Sequence, residues 1–278
     1  MKTFTLTIFT ILVFISISVA QTFSDKIVLN KNQKILATTT SSATTSMQIM
    51  GQNIETVTEG TNINTIEVKD VTPNGYKLTT TVNKIKLKSK GGPQEINFDS
   101  DKKEDMNSEI GQSIKDELKP QDEEINFSGK NANEKNAAGN EEDFQKVMQS
   151  LNGAGTNSAA GNFILIPSGK KTGDVWVDSS SANGVKTKNT YTLQQIKGND
   201  ATIAINTTSN INKTVKGPGA EVTIVMDLKV SSQNVVDIAT GLIKEKVTTA
   251  EGTGNLGAGG QEIPMTSKVT STTTIKKL

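Results

Sequence analysis

The side chains that most often carry out chemistry in enzymes are missing from this chain of 278 residues. It contains no His and no Cys, and all 30 of its basic residues are Lys. Without His or Cys it cannot form a Ser-His-Asp triad, a thiol nucleophile, a His/Cys zinc site or a disulfide. Without Arg it has no planar cation for bidentate binding of carboxylate or phosphate. We therefore expect a protein that is not an enzyme and that holds no cofactor or metal.

Two catalytic arrangements stay open, because paired carboxylates and a Ser–Lys dyad need neither His nor Cys. No residue of the chain is set apart by its spacing as a member of either. The acidic run Asn97–Asp101 with Glu104 offers oxygen ligands for calcium, but it lacks the glycine and the distal glutamate of an EF-hand loop. The Gly-rich run Gly252–Gly260 is not followed by the Lys-Ser/Thr helix of a phosphate-binding loop, so we expect a hairpin tip there.

Four lysines alternate along one predicted strand and would share one face of it: Lys84, Lys86, Lys88 and Lys90. Such a stripe could contact an anionic surface, such as lipid head groups or polysaccharide. The alternative is that these lysines are solvated and protect a sheet edge from pairing with another chain.

A candidate ligand face comes from the clearest strand pattern, which runs from Gly219 to Val230. Apolar and polar residues alternate there with period two, which predicts a half-buried antiparallel strand. The only tryptophan, Trp176, follows Gly173-Asp174, and a lone Trp either packs in a core or stacks on a ligand. The predicted ligand face consists of Trp176, Val222, Ile224, Met226 and Leu228.

Turn residues separate further predicted strands. The turns are expected at Thr72–Gly75, Gly198–Asp200, Ser231–Asn234 and Thr240–Gly241. The alternation between Tyr76 and Lys88 slips by one residue, which predicts a β-bulge near Asn83. Residues 64–74 resemble residues 189–199 at a constant offset of 125, either as an internal repeat or because hairpins of this composition look alike.

The middle of the chain has a different pattern. Met106, Ile110, Ile114 and Leu118 are four residues apart, which predicts an amphipathic helix near 105–118 with Asp105 as its N-cap. A second helix is predicted at 141–151. We expect both to lie in a helical and flexible insert at about 101–160 and to cover the sheet.

The first residues are typical of a secretory signal peptide. Lys2 precedes an apolar stretch from Leu6 to Val19, and small residues at Ser18 and Ala20 predict cleavage between Ala20 and Gln21. We therefore expect export to the periplasm or the outside of the cell, with no transmembrane segment in the mature chain. That chain would carry 29 Lys against 29 acidic residues, and this neutrality argues against nucleic acid as a partner.

Several short motifs together resemble an uncharacterised family of exported, often lipid-anchored proteins of unknown function from Gram-negative bacteria. They are Met50-Gly51-Gln52, Val68–Tyr76, Phe98-Asp99-Ser100, Ile166-Pro167, Gly173–Trp176 and Asp237–Gly241. The resemblance implies export and brings no catalytic residue with it. This chain lacks the Cys that would accept the lipid. By analogy of fold alone, the strand number and the helical insert are similar to periplasmic lipoprotein-carrier half-barrels.

The sequence thus predicts one mainly β domain over residues 21–278. It would consist of about ten antiparallel strands in a strongly curved sheet or open barrel, a half-barrel covered by two helices. The function we expect is non-enzymatic binding or carrying of a lipid or other apolar small molecule. The alternative is a structural or interaction protein of the cell envelope that uses the lysine face or a sheet edge.

Overall fold

Long antiparallel strands account for most of the structure, a computed structural model that describes residues 23–91, 94–116, 118–132, 158–182, 184–216, 221–258 and 261–278. The strands are β1 (Lys34–Ile49), β2 (Gln52–Thr72), β3 (Gly75–Gly91), β4 (Gln94–Asp99), β5 (Gln121–Asn126), β6 (Val175–Ala182), β7 (Val185–Lys197), β8 (Asp200–Lys216), β9 (Glu221–Asp237), β10 (Ile243–Ala258) and β11 (Gln261–Lys277). The helices are α1 (Lys103–Met106) and α2 (Glu109–Ser113), with a 3-10 turn at Ala159–Asn162.

All eleven strands belong to one sheet, in the order β4-β3-β2-β1-β11-β10-β9-β8-β7-β6, and β5 pairs with β3 beside β4. The predicted mainly β architecture is therefore confirmed, with eleven strands in the described residues where about ten were expected. Among the described pairings β4 and β6 are the two ends, so the sheet is open. None of the helices in the described residues is long and apolar enough to cross a membrane.

Hydroxyl side chains add contacts between the strands. Thr39 and Thr273 lie opposite each other and their oxygens are 2.9 Å apart. Thr187 and Ser209 form a similar pair at 3.0 Å. Such cross-strand pairs stabilise a sheet, and the Thr-rich composition of the chain supplies them.

The predicted bulge and two of the predicted turns are confirmed. Ile63 lies opposite Lys84 and Asn64 lies opposite Val82, so Asn83 is the extra residue. The hairpins β2–β3 and β7–β8 turn at Thr72–Gly75 and Gly198–Asp200, as expected. Hairpin β2–β3 has a second bulge at Lys69, and among the described pairings hairpin β7–β8 has a single bulge, at Gln194; these two residues are 125 positions apart. The repeat at that offset therefore extends to local backbone structure.

One other turn prediction is wrong, since Ser231–Asn234 lies within β9. The hairpin tip predicted at Gly252–Gly260 is too long: Gly252–Ala258 belongs to β10, whose last residue pairs with Gln261 at the start of β11, and residues 259–260 fall outside the described part. At Gly254 the neighbouring backbone approaches closely, and a Cβ there would overlap the carbonyl oxygen of Val225. The polar side chains of Ser231–Asn234 continue the alternation of β9 because the inner face is polar at that level. The turn at Thr240–Gly241 is confirmed, with Gly241 at a φ of 72°.

In place of the single helix predicted near 105–118, the structure has the two short helices α1 and α2. The hydroxyl of Ser108 accepts a hydrogen bond from the amide of Gly111 (3.2 Å) and caps α2. The predicted cap residue, Asp105, instead accepts from the amide of Asp99 (2.8 Å) at the end of β4. Helices of four and five residues are too short to cover strands of this length. The second predicted helix, 141–151, and the signal segment with Ala20 and Gln21 lie outside the described residues.

Buried apolar side chains form two clusters at different levels of the sheet. The larger cluster includes Ile35, Ile66 and Leu193, and it packs under the segments 23–29 and 158–166. The hydroxyl of Tyr76 holds the first of these segments, since it donates to the carbonyl of Ile27 at 2.8 Å. The smaller cluster consists of Ile211, Val215, Ile224, Met226, Leu256 and Met265.

Candidate functional site

A polar cavity lies between the two apolar clusters. The pairing register places Asn234 opposite Lys246, Lys246 opposite Thr273, and Thr273 opposite Thr39. Directly opposite residues of neighbouring strands share a face, so these four side chains form one row across β9, β10, β11 and β1. The next row consists of Ser232, Thr248 and Ser271.

These rows form part of the wall of a cavity of about 400 Å³, the central cavity. Its wall includes residues of seven strands, from β2 through β1, β11, β10, β9 and β8 to β7, and of the segment 158–164. The lining residues are Ala37, Thr39, Asn64, Ile66, Ser158, Gly161, Asn162, Ile164, Asn189, Tyr191, Ile205, Thr207, Val230, Ser232, Asn234, Ile243, Lys246, Thr248, Ser271 and Thr273.

Lys246 is the only charged residue among these lining residues. Burial alone lowers the pKa of its ammonium group, because the charged form loses hydration. Lys246 is half-buried, and within the described part of the chain no ion pair includes it. The lining residues include no carboxylate to pair with this charge; the carboxylates of Asp178 and Glu123 bond to the lining residues Tyr191 and Ser158 from behind the wall.

Two other polar groups of the wall have unused bonding capacity. Asn234 is fully buried, and its Nδ2 donates to the hydroxyl of Ser232 at 3.0 Å. Its Oδ1 and the Oγ1 of Thr248 are buried and have no partner among the described residues. Buried polar atoms are nearly always hydrogen-bonded, so both atoms are available to a bound molecule.

One side of the cavity is formed by an aromatic and hydrogen-bonded group. Tyr191 lines the cavity, and its ring stacks on Trp176 with centroids 5.2 Å apart and planes 2° from parallel. Its hydroxyl donates to Asp178 at 3.0 Å. Burial, and then the bond to Asp178, raise the pKa of Tyr191 to about 12. Asn189 also donates to Asp178 (2.7 Å) and accepts from Thr207 (2.7 Å).

The segment 158–164 crosses the inner face beside the cavity. Glu123 of β5 accepts hydrogen bonds from the hydroxyl of Ser158 (2.6 Å) and from the amide of Ala159 (2.7 Å). At the other end, the amide of Ile164 donates to the carbonyl of Gly241 (2.8 Å). The segment therefore connects the β3–β5 part of the sheet with the turn between β9 and β10.

The predicted ligand face lies mostly beyond the cavity. Ile224 and Met226 are buried in the smaller apolar cluster, with Val222 packed against it and Leu228 half-buried. They share the inner face, as their alternation predicted, but they are not among the lining residues of the central cavity. Trp176 supports the wall through its stacking on Tyr191. A direct role of these five residues in binding stays a prediction.

The lysine stripe is on an interior strand, because β3 lies between β2 and β4 in this region. The interpretation as a protected sheet edge is therefore wrong. Acidic groups also share its face. Lys84 contacts Asp101, Lys86 is 3.1 Å from Asp99, and Lys88 and Lys90 lie opposite Glu59 and Glu95. Contact with an anionic surface stays a prediction, and this alternation of charges gives it no support.

Sequence reasoning missed Lys246, although it found the hairpin next to it. In the sequence, Ile243–Val247 looks like an ordinary half-solvated strand start. The alternation of side chains along β10 could have revealed it. Lys246, Thr248 and Ala250 are two residues apart, so they share one face, and they pair with the inner residues of β9.

Comparisons with known proteins bear on part of the chain. A family model described as "Family of unknown function (DUF6263)" matches residues 130–243, which include β6 to β9. No curated protein matches the chain. Among solved structures, the crystal structure of an outer membrane channel from Pseudomonas putida F1 is 6% identical and covers 91% of this chain and 98% of that chain. Its TM-score of 0.22 is too low to indicate a shared fold. Over residues 130–243 the chain is thus similar to an uncharacterised family, in line with the resemblance found in its sequence.

Proposed function

We propose that this protein is an exported, non-enzymatic binding protein that holds a small molecule in the central cavity. The cavity carries the proposal. A cleft of about 400 Å³ lies between two packed apolar clusters and is open to solvent on one side. It is lined by polar groups, and two of them, the Oδ1 of Asn234 and the Oγ1 of Thr248, have unused bonding capacity. That volume lies in the range of small-molecule sites. The signal-like residues 1–20 support export.

A curved sheet would enclose such a ligand, and the contacts of segment 23–29 support curvature. The amide of Ile27 donates to the carbonyl of Phe127, after β5, at 2.8 Å, and the next amide, Val28, donates to Thr240, after β9, at 3.2 Å. β5 is paired with β3, and β3 and β9 are five strands apart in the sheet, or roughly 24 Å if it were flat. A bend in the sheet would bring both carbonyls within reach of two consecutive residues, so these contacts support the proposed curvature.

The polar lining of the cavity changes the class of ligand that was expected from the sequence. Eight hydroxyl groups, four amides and one ammonium group line the cavity, beside six apolar side chains. The apolar levels above and below it are filled by their own side chains. We therefore propose a polar ligand in place of a lipid or other apolar molecule.

The test is to identify what co-purifies with the protein from its native compartment. The folded protein would be isolated gently and denatured, and the released small molecules analysed by mass spectrometry. Ser232→Phe would fill the cavity, while Ser231→Phe is a matched control on the exposed face of the same strand. We expect one compound in stoichiometric amount from the wild type and from Ser231→Phe, and none from folded Ser232→Phe. An empty wild-type protein that no envelope extract stabilises against heat would contradict the proposal.

A further inference from the structure

We propose that the central cavity selects a hydroxyl-rich molecule that carries one carboxylate or phosphate group, and that Lys246 and Thr248 hold this anionic group. The inference rests on the proposed binding function and specifies the chemical class of the ligand.

The position of Lys246 carries the first step. Lys246 is half-buried, no ion pair of the described residues includes it, and the lining residues of the cavity contain no carboxylate. A charge that has lost part of its hydration is costly unless a partner of opposite sign compensates it. A ligand anion would supply the missing partner. It would also restore the bonds that the ammonium group lost with its hydration, which accords with the lowered pKa of Lys246.

Thr248 provides the second step. It is two residues from Lys246 on β10, so both side chains point into the cavity from one face. The Oγ1 of Thr248 is buried without a partner in the described residues. A hydroxyl group donates readily to a carboxylate or phosphate oxygen. Ammonium and hydroxyl groups at neighbouring positions therefore form a ready anion site.

Asn234 provides the third step, because it distinguishes a polyol from a simple anion. It lies directly opposite Lys246 and is fully buried, and its Oδ1 has no partner among the described residues. A carbonyl oxygen accepts and cannot donate, so it fits a hydroxyl group of the ligand and repels an anion. With the many other hydroxyl and amide groups of the wall, this favours an acidic sugar or a sugar phosphate over a fatty acid.

The experiment uses the mature protein with isotope-labelled lysine side chains, freed of ligand and observed by NMR at constant ionic strength. The probes are D-glucuronate and D-glucose 6-phosphate, with D-glucose as the polyol without charge and laurate as the anion without hydroxyl groups. We expect a saturable shift of the Lys246 signal with at least one of the two acidic sugars. Affinity for glucose should be lower by about tenfold or more, because glucose lacks the anionic group and with it a hydrogen bond to a charged group. Affinity for laurate should also be lower, because laurate lacks hydroxyl groups that could bond to Asn234 and the other polar groups of the wall.

Two variants and one control complete the design. Lys246→Met and Thr248→Val should each weaken binding of the acidic sugar, the former by about tenfold or more. Lys229→Met, on the exposed face of β9, should leave it unchanged. The inference is overturned if neither acidic sugar gives a saturable shift, or if glucose binds as tightly as the acidic sugars. It is also overturned if folded Lys246→Met binds the acidic sugar as tightly as the wild type does, or if the protein prefers laurate. Since the proposed function is judged by the co-purified compound, it can survive each of these outcomes.

Discussion

At the scale of single residues, Lys246 has opposite effects on stability and on binding. Its side chain occupies a cavity where no described carboxylate compensates its charge, so the folded protein without ligand holds an unfavourable ammonium group. Residues that serve binding often reduce stability in this way. The same charge is what would attract an anionic ligand.

We expect Lys246→Met to stabilise the ligand-free protein by about 0.5–2 kcal/mol, with a Tm higher by about 2–6 °C. Burial lowers the pKa of Lys246 below 10.5 in the folded state, so the unfolded state binds more protons just below that pH. Wild-type stability should therefore rise as the pH increases through that window, and the variant should lack this rise. Tyr191 also faces the cavity and titrates, but burial and the bond to Asp178 raise its pKa to about 12, which keeps it protonated there. Thermal unfolding at a series of pH values measures both effects, and a lower Tm for the variant would contradict them.

Tyr191→Phe removes one hydroxyl group and keeps the ring that stacks on Trp176. We expect a loss of about 0.5–1.5 kcal/mol, because the bond to Asp178 is lost. The pKa of Tyr191 is raised from 10.0 to about 12, so its contribution is complete below pH 10 and is lost as the pH rises towards 12. The variant should thus be less sensitive to alkali over that range, as followed by circular dichroism in urea. An unchanged alkaline profile would show that the hydroxyl does not contribute.

At the scale of elements, the predictions that succeeded depend on local chemistry. The turns at Thr72–Gly75 and Gly198–Asp200 have residues that fit turns wherever they occur, and the phase slip near Asn83 appears in the sequence itself. The failures depend on neighbours distant in sequence. Ser231–Asn234 has the composition of a turn, but its pairing with β8 and β10 makes it part of a strand. Ser232 and Asn234 then face the polar cavity. The cavity was missed for the same reason, since its wall is assembled from seven strands.

The bulge in β3 gives an element-scale prediction. Asn83 is the extra residue opposite β2, so deleting it leaves Val82 facing inward and Lys84 outward as before. Its side chain donates one hydrogen bond to Thr65 at 2.7 Å. We therefore expect the deletion to cost only about 1 kcal/mol, as measured by urea unfolding.

Deletion of Leu87 is the matched control in the same strand. It would shift the alternation by one residue and turn Lys88 and Lys90 to the inner face. We expect a loss of several kcal/mol, of the order found when unpaired charges are buried. Equal effects of the two deletions would show that the bulge has no special tolerance.

At the scale of the whole molecule, the segment 158–164 connects parts of the sheet that are far apart in strand order. One end bonds to Glu123 beside β3, and the other bonds to Gly241 between β9 and β10. Four of its residues, Ser158, Gly161, Asn162 and Ile164, also line the central cavity. A ligand in the cavity would therefore be in contact with the same segment that holds the two sides of the sheet together.

This connection predicts that Glu123 affects ligand release without touching the ligand. In Glu123→Gln the bonds to Ser158 and Ala159 lose their charge, and the amide group can accept through only one oxygen. We expect a loss of about 1.5–3 kcal/mol, faster hydrogen exchange at residues 158–164, and faster dissociation of the co-purified compound. Glu124→Gln is the control, since Glu124 is on the same strand and bonds outward to Lys77 at 3.4 Å. Faster hydrogen exchange with unchanged dissociation of the compound would mean that the segment stabilises the sheet and does not retain the ligand. Equal effects of Glu123→Gln and Glu124→Gln would mean that the change comes from β5 itself.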